Sequence, residues 1–110
     1  MMKVKLINLE RGKGKTTLLI KLSATHNTPI ICSSSASKSY ILNKAREMRL
    51  TIPEPINVRK CDIPYVLRGL NINSNCGVLV DDLECVLQYF LGEQVSVATT
   101  SCEVINLERK

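Results

Sequence analysis

The chain of 110 residues has no tryptophan, one histidine and few other aromatics: Tyr40, Tyr65, Tyr89 and Phe90. A single-strand nucleic-acid binder that stacks bases on aromatic platforms displays more π-surface, so that class loses weight. No run approaches the ~18–20 apolar residues that a membrane span requires, and no membrane partner is expected. The five cysteines, Cys32, Cys61, Cys76, Cys85 and Cys102, include no Cys-x-x-Cys pair. An odd count without paired spacing argues against both a disulfide framework and a zinc site. All five read as reduced, with Cys32 and Cys85 in apolar surroundings where a thiol acts as a small hydrophobe. The first residues enter a strand pattern without a signal-peptide apolar core or cleavage site, so a cytoplasmic location is expected.

An apolar fraction of 45% beside 23% charged residues is ordinary globular composition and argues against global disorder. The length suits one domain, 1–110, with a core large enough to fold. Acidic residues are scarce in the first half. Residues 1–60 carry twelve Lys and Arg against Glu10, Glu47 and Glu54, whereas residues 61–110 carry three against seven acids. The basic half suits a polyanion, either nucleotide or DNA or RNA. Scattered solvated lysines on helix faces are the plainer alternative.

The most informative stretch runs from Val4 to Thr17, VKLINLERGKGKTT. A short apolar run reads as a buried strand, breaks into a glycine-containing loop, and gives way at Gly14-Lys15-Thr16-Thr17 to an apolar-periodic helix. That order cradles phosphates. Gly14 permits a tight turn that points backbone N–H groups into one concavity, Lys15 supplies a mobile positive charge, and the Thr16 hydroxyl can join a Mg²⁺ shell. The first helical turn adds unpaired N–H groups and the positive end of the dipole. The usual pattern has a glycine five residues before Gly14, where this chain has Leu9. A basic turn ahead of an ordinary surface helix is the alternative.

The helix after the loop is expected over 16–25, with Leu18, Leu19 and Leu22 as its stripe and Ile20 as a second contact. Asn27 and Pro29 end it, and His26 reads as a polar residue at that end. Residues 30–32 form a short strand that opens into Ser33-Ser34-Ser35-Ala36-Ser37-Lys38-Ser39. A second helix is expected over 38–49, on Ile41, Ala45 and Met48. The serines serve as caps or, alternatively, hold a nucleic-acid phosphate together with Lys38. Pro53 and Pro55 keep 51–55 extended, 56–58 is a candidate strand, and Asp62 caps a short helix through Arg68, followed by a loop over 71–75.

Gly77-Val78-Leu79-Val80-Asp81-Asp82 is an apolar strand ending in two adjacent acids. Leu83, Val86, Leu87, Phe90 and Leu91 then follow the helical period up to Gly92. Residues 95–99 are expected as a last, central strand, with Ser96 and Ala98 on its second buried face, ending at Thr99-Thr100-Ser101. Val104 and Ile105 suggest an edge strand. Alternating strands and helices imply an α/β fold, a three-layer parallel sheet with helices on both faces. Ligands in such sheets sit beyond the carboxyl ends of the strands. The residues at 11–16, 33–37, 81–82 and 99–101 all follow expected strands and so are expected on that edge. Asp81 is the candidate to hold Mg²⁺ with Thr16, Asp82 to orient or deprotonate a water, and Thr100 or Ser101 to sense a γ-phosphate. The plainer role for Asp81 and Asp82 is to favour a helix N-terminus.

With these motifs the chain resembles the additional-strand P-loop ATPases, the helicases and phage large terminases, over nearly its whole length. Arg11-Gly12-Lys13-Gly14-Lys15-Thr16 is similar to the terminase form of the Walker A motif, in which the early glycine is often missing. The resemblance implies that Arg11 acts in cis on the γ-phosphate, and that Gly12, Lys13, Gly14, Lys15, Thr16 and Thr17 bind ATP. Val78 to Asp82 resembles Walker B, with Asp82 where those families usually carry glutamate. Ala98-Thr99-Thr100-Ser101 resembles their coupling motif, on a strand between the P-loop and Walker B strands. The chain also resembles small stand-alone P-loop proteins of Firmicutes phages, which would place it in the host cytoplasm. The catalytic candidates are therefore Asp82, Arg11 and Lys15, with ATP and Mg²⁺ as cofactors.

A motor of this kind needs a further domain, so oligomerisation or a protein partner is expected. A nucleotide-binding adaptor without turnover is the leading alternative. A small nucleoside-type kinase, which lacks an evident lid and aromatic base pocket here, and a salt-sensitive nucleic-acid binder that ignores nucleotide are the others.

Overall fold

The structure is a computed structural model that describes residues 5–8, 14–60 and 77–106. The elements run β1 (Lys5–Asn8), α1 (Lys15–His26), β2 (Ile30–Cys32), α2 (Ser35–Glu47), β3 (Ile56–Asn57), β4 (Leu79–Val80), α3 (Leu83–Leu91) and β5 (Glu103–Asn106). Every strand pairing among the described residues is parallel. The alternation of strand and helix therefore gives the expected α/β class.

The sheet differs from the expected one. Among the described residues the strands form two sheets, β3-β2-β4 and β1-β5. In the first, β2 is central and wholly buried. Its side chains alternate between two cores, as the period of a strand requires. Ile30 and Cys32 join Ile20, Ile41 and Ala45 from α1 and α2, with Leu19, Met48, Leu50 and Leu79 packed around them. Ile31 points the other way and packs with Ile56, Val58 and Val86, the last from α3. This sheet thus has helices on both faces.

The predicted central strand at 95–99 is not one. These residues have no regular secondary structure, and Val97 is 85% exposed. The strand that pairs with β1 is β5 instead, in the register Lys5↔Glu103 to Asn8↔Asn106. The chain geometry explains the difference. Parallel neighbours need a crossover of a dozen or so residues, and only residues 100–102 separate 99 from the start of β5. Residues 95–99 and β5 therefore cannot both run parallel in one sheet. β1 is also half-buried at Leu6 and Ile7 rather than fully covered.

Local signals set most helix boundaries. Asn27 takes the left-handed conformation, φ 54°, and its N–H donates to the Ser23 carbonyl to end α1; Asn tolerates that region and Pro29 follows it. Ile20, rather than the leucine stripe, is the fully buried apolar residue of α1, with Leu18, Leu19 and Leu22 half-buried. α2 starts three residues before its expected start. Ser34 is extended and accepts a hydrogen bond from the Ser37 N–H at 3.1 Å, the usual serine N-cap, so Ser35 to Ser37 lie inside the first turn. α3 ends as expected on Gly92, at φ 76°. Its stripe is largely uncovered: Val86 is buried, but Leu83, Leu87, Phe90 and Leu91 are exposed. Cys85 is exposed as well, not in the apolar setting expected of it, whereas Cys32 is buried. The expected helix 62–68 and loop 71–75, with Cys61 and Cys76, lie outside the described residues.

Candidate functional site

The parallel arrangement sends the chain out of β1 and β4 at the carboxyl ends of those strands. After β1 the described chain resumes at Gly14, whose φ of 102° is open to glycine and strained for any other residue. Gly14 takes the N-cap position of α1 and offers no side chain to its amides. Lys15 is the first residue of the helix, and Thr16 and Thr17 follow in the first turn, all half-buried. Arg11, Gly12 and Lys13 lie outside the described residues.

After β4, the Asp81 N–H donates to the Ile31 carbonyl at 2.9 Å and carries the pairing with β2 one residue further. Asp81 is thereby drawn in and is only 7% exposed. Burial first, and the neighbouring Asp82 second, raise the Asp81 carboxyl above its usual range, while Lys15 pulls it down. Asp82 turns out of the strand. It is left-handed, φ 56° and ψ 69°, and its carboxylate does not cap α3, although it holds the N-cap position. Helix N-caps usually have β-region backbone with the side chain folded onto the N2 or N3 amide. Here the Asp82 carboxylate instead lies 3.7 Å from the Lys15 ammonium.

Lys15, at the start of α1, and the predicted acids therefore meet. Two helix N-termini without side-chain caps, one lysine and two carboxylates of unequal burial share a corner beyond the parallel strands. Uncapped N–H groups with a lysine suit an anion of the phosphate type. The buried carboxylate suits a cation, which would relieve its unfavourable charge. Among the described residues no group of three or more His, Cys, Asp or Glu could hold a metal. A metal here would therefore take most of its oxygens from a ligand and water, as Mg²⁺ commonly does.

Thr100 and Ser101 stand elsewhere. They precede β5, and since β5 runs parallel to β1 they lie at the amino end of that strand pair. The Gly14 loop leaves from the opposite end. Both residues are exposed, and the Thr100 hydroxyl accepts the Cys102 N–H at 2.9 Å in a local turn.

A polar cluster at the ends of β2 and β3 was not legible in the sequence. Asn57, buried, donates from Nδ2 to the Ser35 hydroxyl at 3.1 Å and accepts the Arg59 N–H at 3.0 Å. Arg59 Nε donates to the Ser33 carbonyl at 2.6 Å, and its guanidinium lies 5.1 Å from the centre of the Tyr89 ring. Lys38 pairs with Glu54 at 3.0 Å. The serine stretch is thus engaged in structural bonds that tie β2, β3, α2 and α3 together. No helix among the described residues is long and apolar enough to cross a membrane.

Compared with protein-family models, with curated proteins and with solved structures, the chain matches none.

Proposed function

We propose that the chain is a minimal P-loop-type protein that binds ATP with Mg²⁺ and hydrolyses it in the service of nucleic-acid handling. What carries the reading is the meeting of Lys15 with Asp81 and Asp82 beyond the ends of parallel strands. In this reading the loop amides around Gly12, Lys13 and Gly14 and the first-turn amides at Lys15, Thr16 and Thr17 hold the phosphates. Lys15 adds the mobile charge, and Thr16 and Asp81 hold Mg²⁺. The metal, when bound, neutralises charge on the phosphate oxygens. Asp82 orients the attacking water, and Arg11 stabilises developing charge by the terminase resemblance. Thr100 and Ser101 have weaker support as sensors, given their place before β5. DNA or RNA would meet the basic first half, and the protein would work in the cytoplasm, the host's if it is phage-encoded.

A second reading draws on a separate observation. The exposed apolar side of α3, with Leu83, Leu87, Phe90 and Leu91, favours a protein partner or a second copy, and hence a nucleotide-binding adaptor that does not turn over. Phosphate release by the wild type, Lys15→Ala and Asp82→Glu chooses between the two. The ATPase reading predicts release that Lys15→Ala abolishes and Asp82→Glu raises, since glutamate reaches one methylene further. The adaptor reading predicts no release from any of the three.

A further inference from the structure

We propose that the Lys15–Asp82 ion pair is a latch, in which Asp82 competes with a bound phosphate for the Lys15 ammonium and so lowers the affinity of the empty site. The proposal rests on the reading of the Gly14 loop as a phosphate site. Its evidence is the geometry at the start of α3. An aspartate at an N-cap normally spends its carboxylate on the amides of its own helix. Asp82 holds that position without making that bond; its left-handed backbone stands the residue clear of the helix, and its carboxylate lies 3.7 Å from Lys15 Nζ. Gly14, at the start of α1, has no side chain to cap with either. Among the described residues, the N-termini that would greet a phosphate therefore lack side-chain caps, and Lys15, the flexible cation beside them, is paired with a carboxylate.

The Lys15 ammonium has three donors, but a phosphate drawn to it competes with the Asp82 carboxylate for them and repels it. Phosphate binding therefore weakens the pair, and by reciprocity removing Asp82's charge strengthens phosphate binding. Lys15 and Asp82 are both about one-third exposed. Solvent therefore weakens the pair, and the gain on breaking it is about two- to fivefold in affinity. The latch tunes the site and sets Asp82's release to coincide with ligand arrival.

The test is ATP affinity by calorimetry for the wild type, Asp82→Asn and Glu84→Gln, with urea unfolding of the nucleotide-free wild type, Lys15→Met, Asp82→Asn and the double variant. Asparagine tolerates the left-handed backbone. Glu84→Gln removes a charge from the same helical turn at an exposed position, and so reports plain repulsion. The latch predicts that Asp82→Asn binds about two- to fivefold tighter than wild type, that Glu84→Gln gains clearly less, and that the two single variants shift the urea midpoint non-additively. Equal gains for Asp82→Asn and Glu84→Gln, or additive midpoints, overturn the latch and leave the phosphate site standing. Absence of binding by both wild type and Asp82→Asn at millimolar ATP overturns the phosphate reading, and the latch with it.

Discussion

Asp81 and Asp82 are neighbours in the chain and opposite in circumstance. Asp81 is drawn into the sheet by its N–H bond to Ile31 and is nearly buried, while Asp82 is 38% exposed at its side chain, left-handed, and paired with Lys15. Burial, with Asp82 beside it, raises the Asp81 carboxyl above its usual range, and the two side chains meet different surroundings. The environment also fixes what each substitution does.

Asp81 carries a stability cost when ionised. Its folded-state carboxyl lies above the usual range, through burial first and Asp82 second. The folded protein therefore holds that proton more tightly than the unfolded chain does. Its contribution to stability is complete below the unfolded value, about 3.9, and is lost as pH rises through the raised folded value. Asp81→Asn removes the loss. The variant is expected to be more stable than wild type at neutral pH by about 0.5–2 kcal/mol, the range typical of one stabilising substitution. Urea unfolding between pH 4 and pH 8 should show the two curves diverging as pH rises; roughly parallel curves would count against a strained Asp81.

At Asp82 the backbone decides. A left-handed residue with a Cβ costs roughly 1–2 kcal/mol over glycine unless its side chain compensates. Asp82→Gly and Asp82→Ala both lose the Lys15 pair, but only glycine is free of the strain. Thermal or urea unfolding should rank Asp82→Gly above Asp82→Ala by about 1 kcal/mol. The reverse order would mean that the turn is not left-handed at this residue.

Val97 tests the sheet. If residues 95–99 lie outside it, Val97→Lys changes stability by no more than about 0.5 kcal/mol, as for other exposed positions. A buried central strand would lose several kcal/mol for an unpaired lysine. The unfolding midpoint of this one variant separates the two arrangements.

Two of the described cysteines should differ in reactivity. Cys85 is exposed and Cys32 is buried, and burial pushes the Cys32 thiol up from its usual range. A thiol reagent at neutral pH is expected to modify Cys85 in the folded protein and Cys32 only with unfolding, since thiolate and access are both needed. Mass mapping of the labelled peptides reads this directly. Early labelling of Cys32 would contradict the packing of β2 against α1 and α2.

Much of the fold was legible because punctuation residues act locally. Asn27 and Gly92 stop helices through bonds within a few residues, and Ile30, Ile31 and Cys32 announce a buried strand by lacking any polar face. Lys15 and the two acids were expected on one sheet edge; β1 and β4 instead lie in different sheets, and the ion pair of Lys15 with Asp82 is what joins them. What failed depended on the distant chain. Ser96 and Ala98 alternate with valines, but alternation does not say whether any sheet edge is there to receive them. The partner of β1 turned out to be Glu103–Asn106, almost the whole chain away. Thr100 and Ser101 moved with it, from the carboxyl end of an expected strand to the amino end of an observed one. The stripe on α3 announced its helix correctly and said nothing of how little would cover it. The Asn57–Ser35 and Arg59–Ser33 bonds join positions more than twenty residues apart, with no local pattern to mark them.

On the proposed reading, the Gly14 loop and Lys15 form a phosphate site. Calorimetry of Mg²⁺-ATP binding to the wild type and to Lys15→Ala tests it most directly. Saturable binding by the wild type that disappears in Lys15→Ala, with both proteins folded by circular dichroism, is the predicted result. Equal binding by the two, or none by the wild type at millimolar ATP, would contradict it.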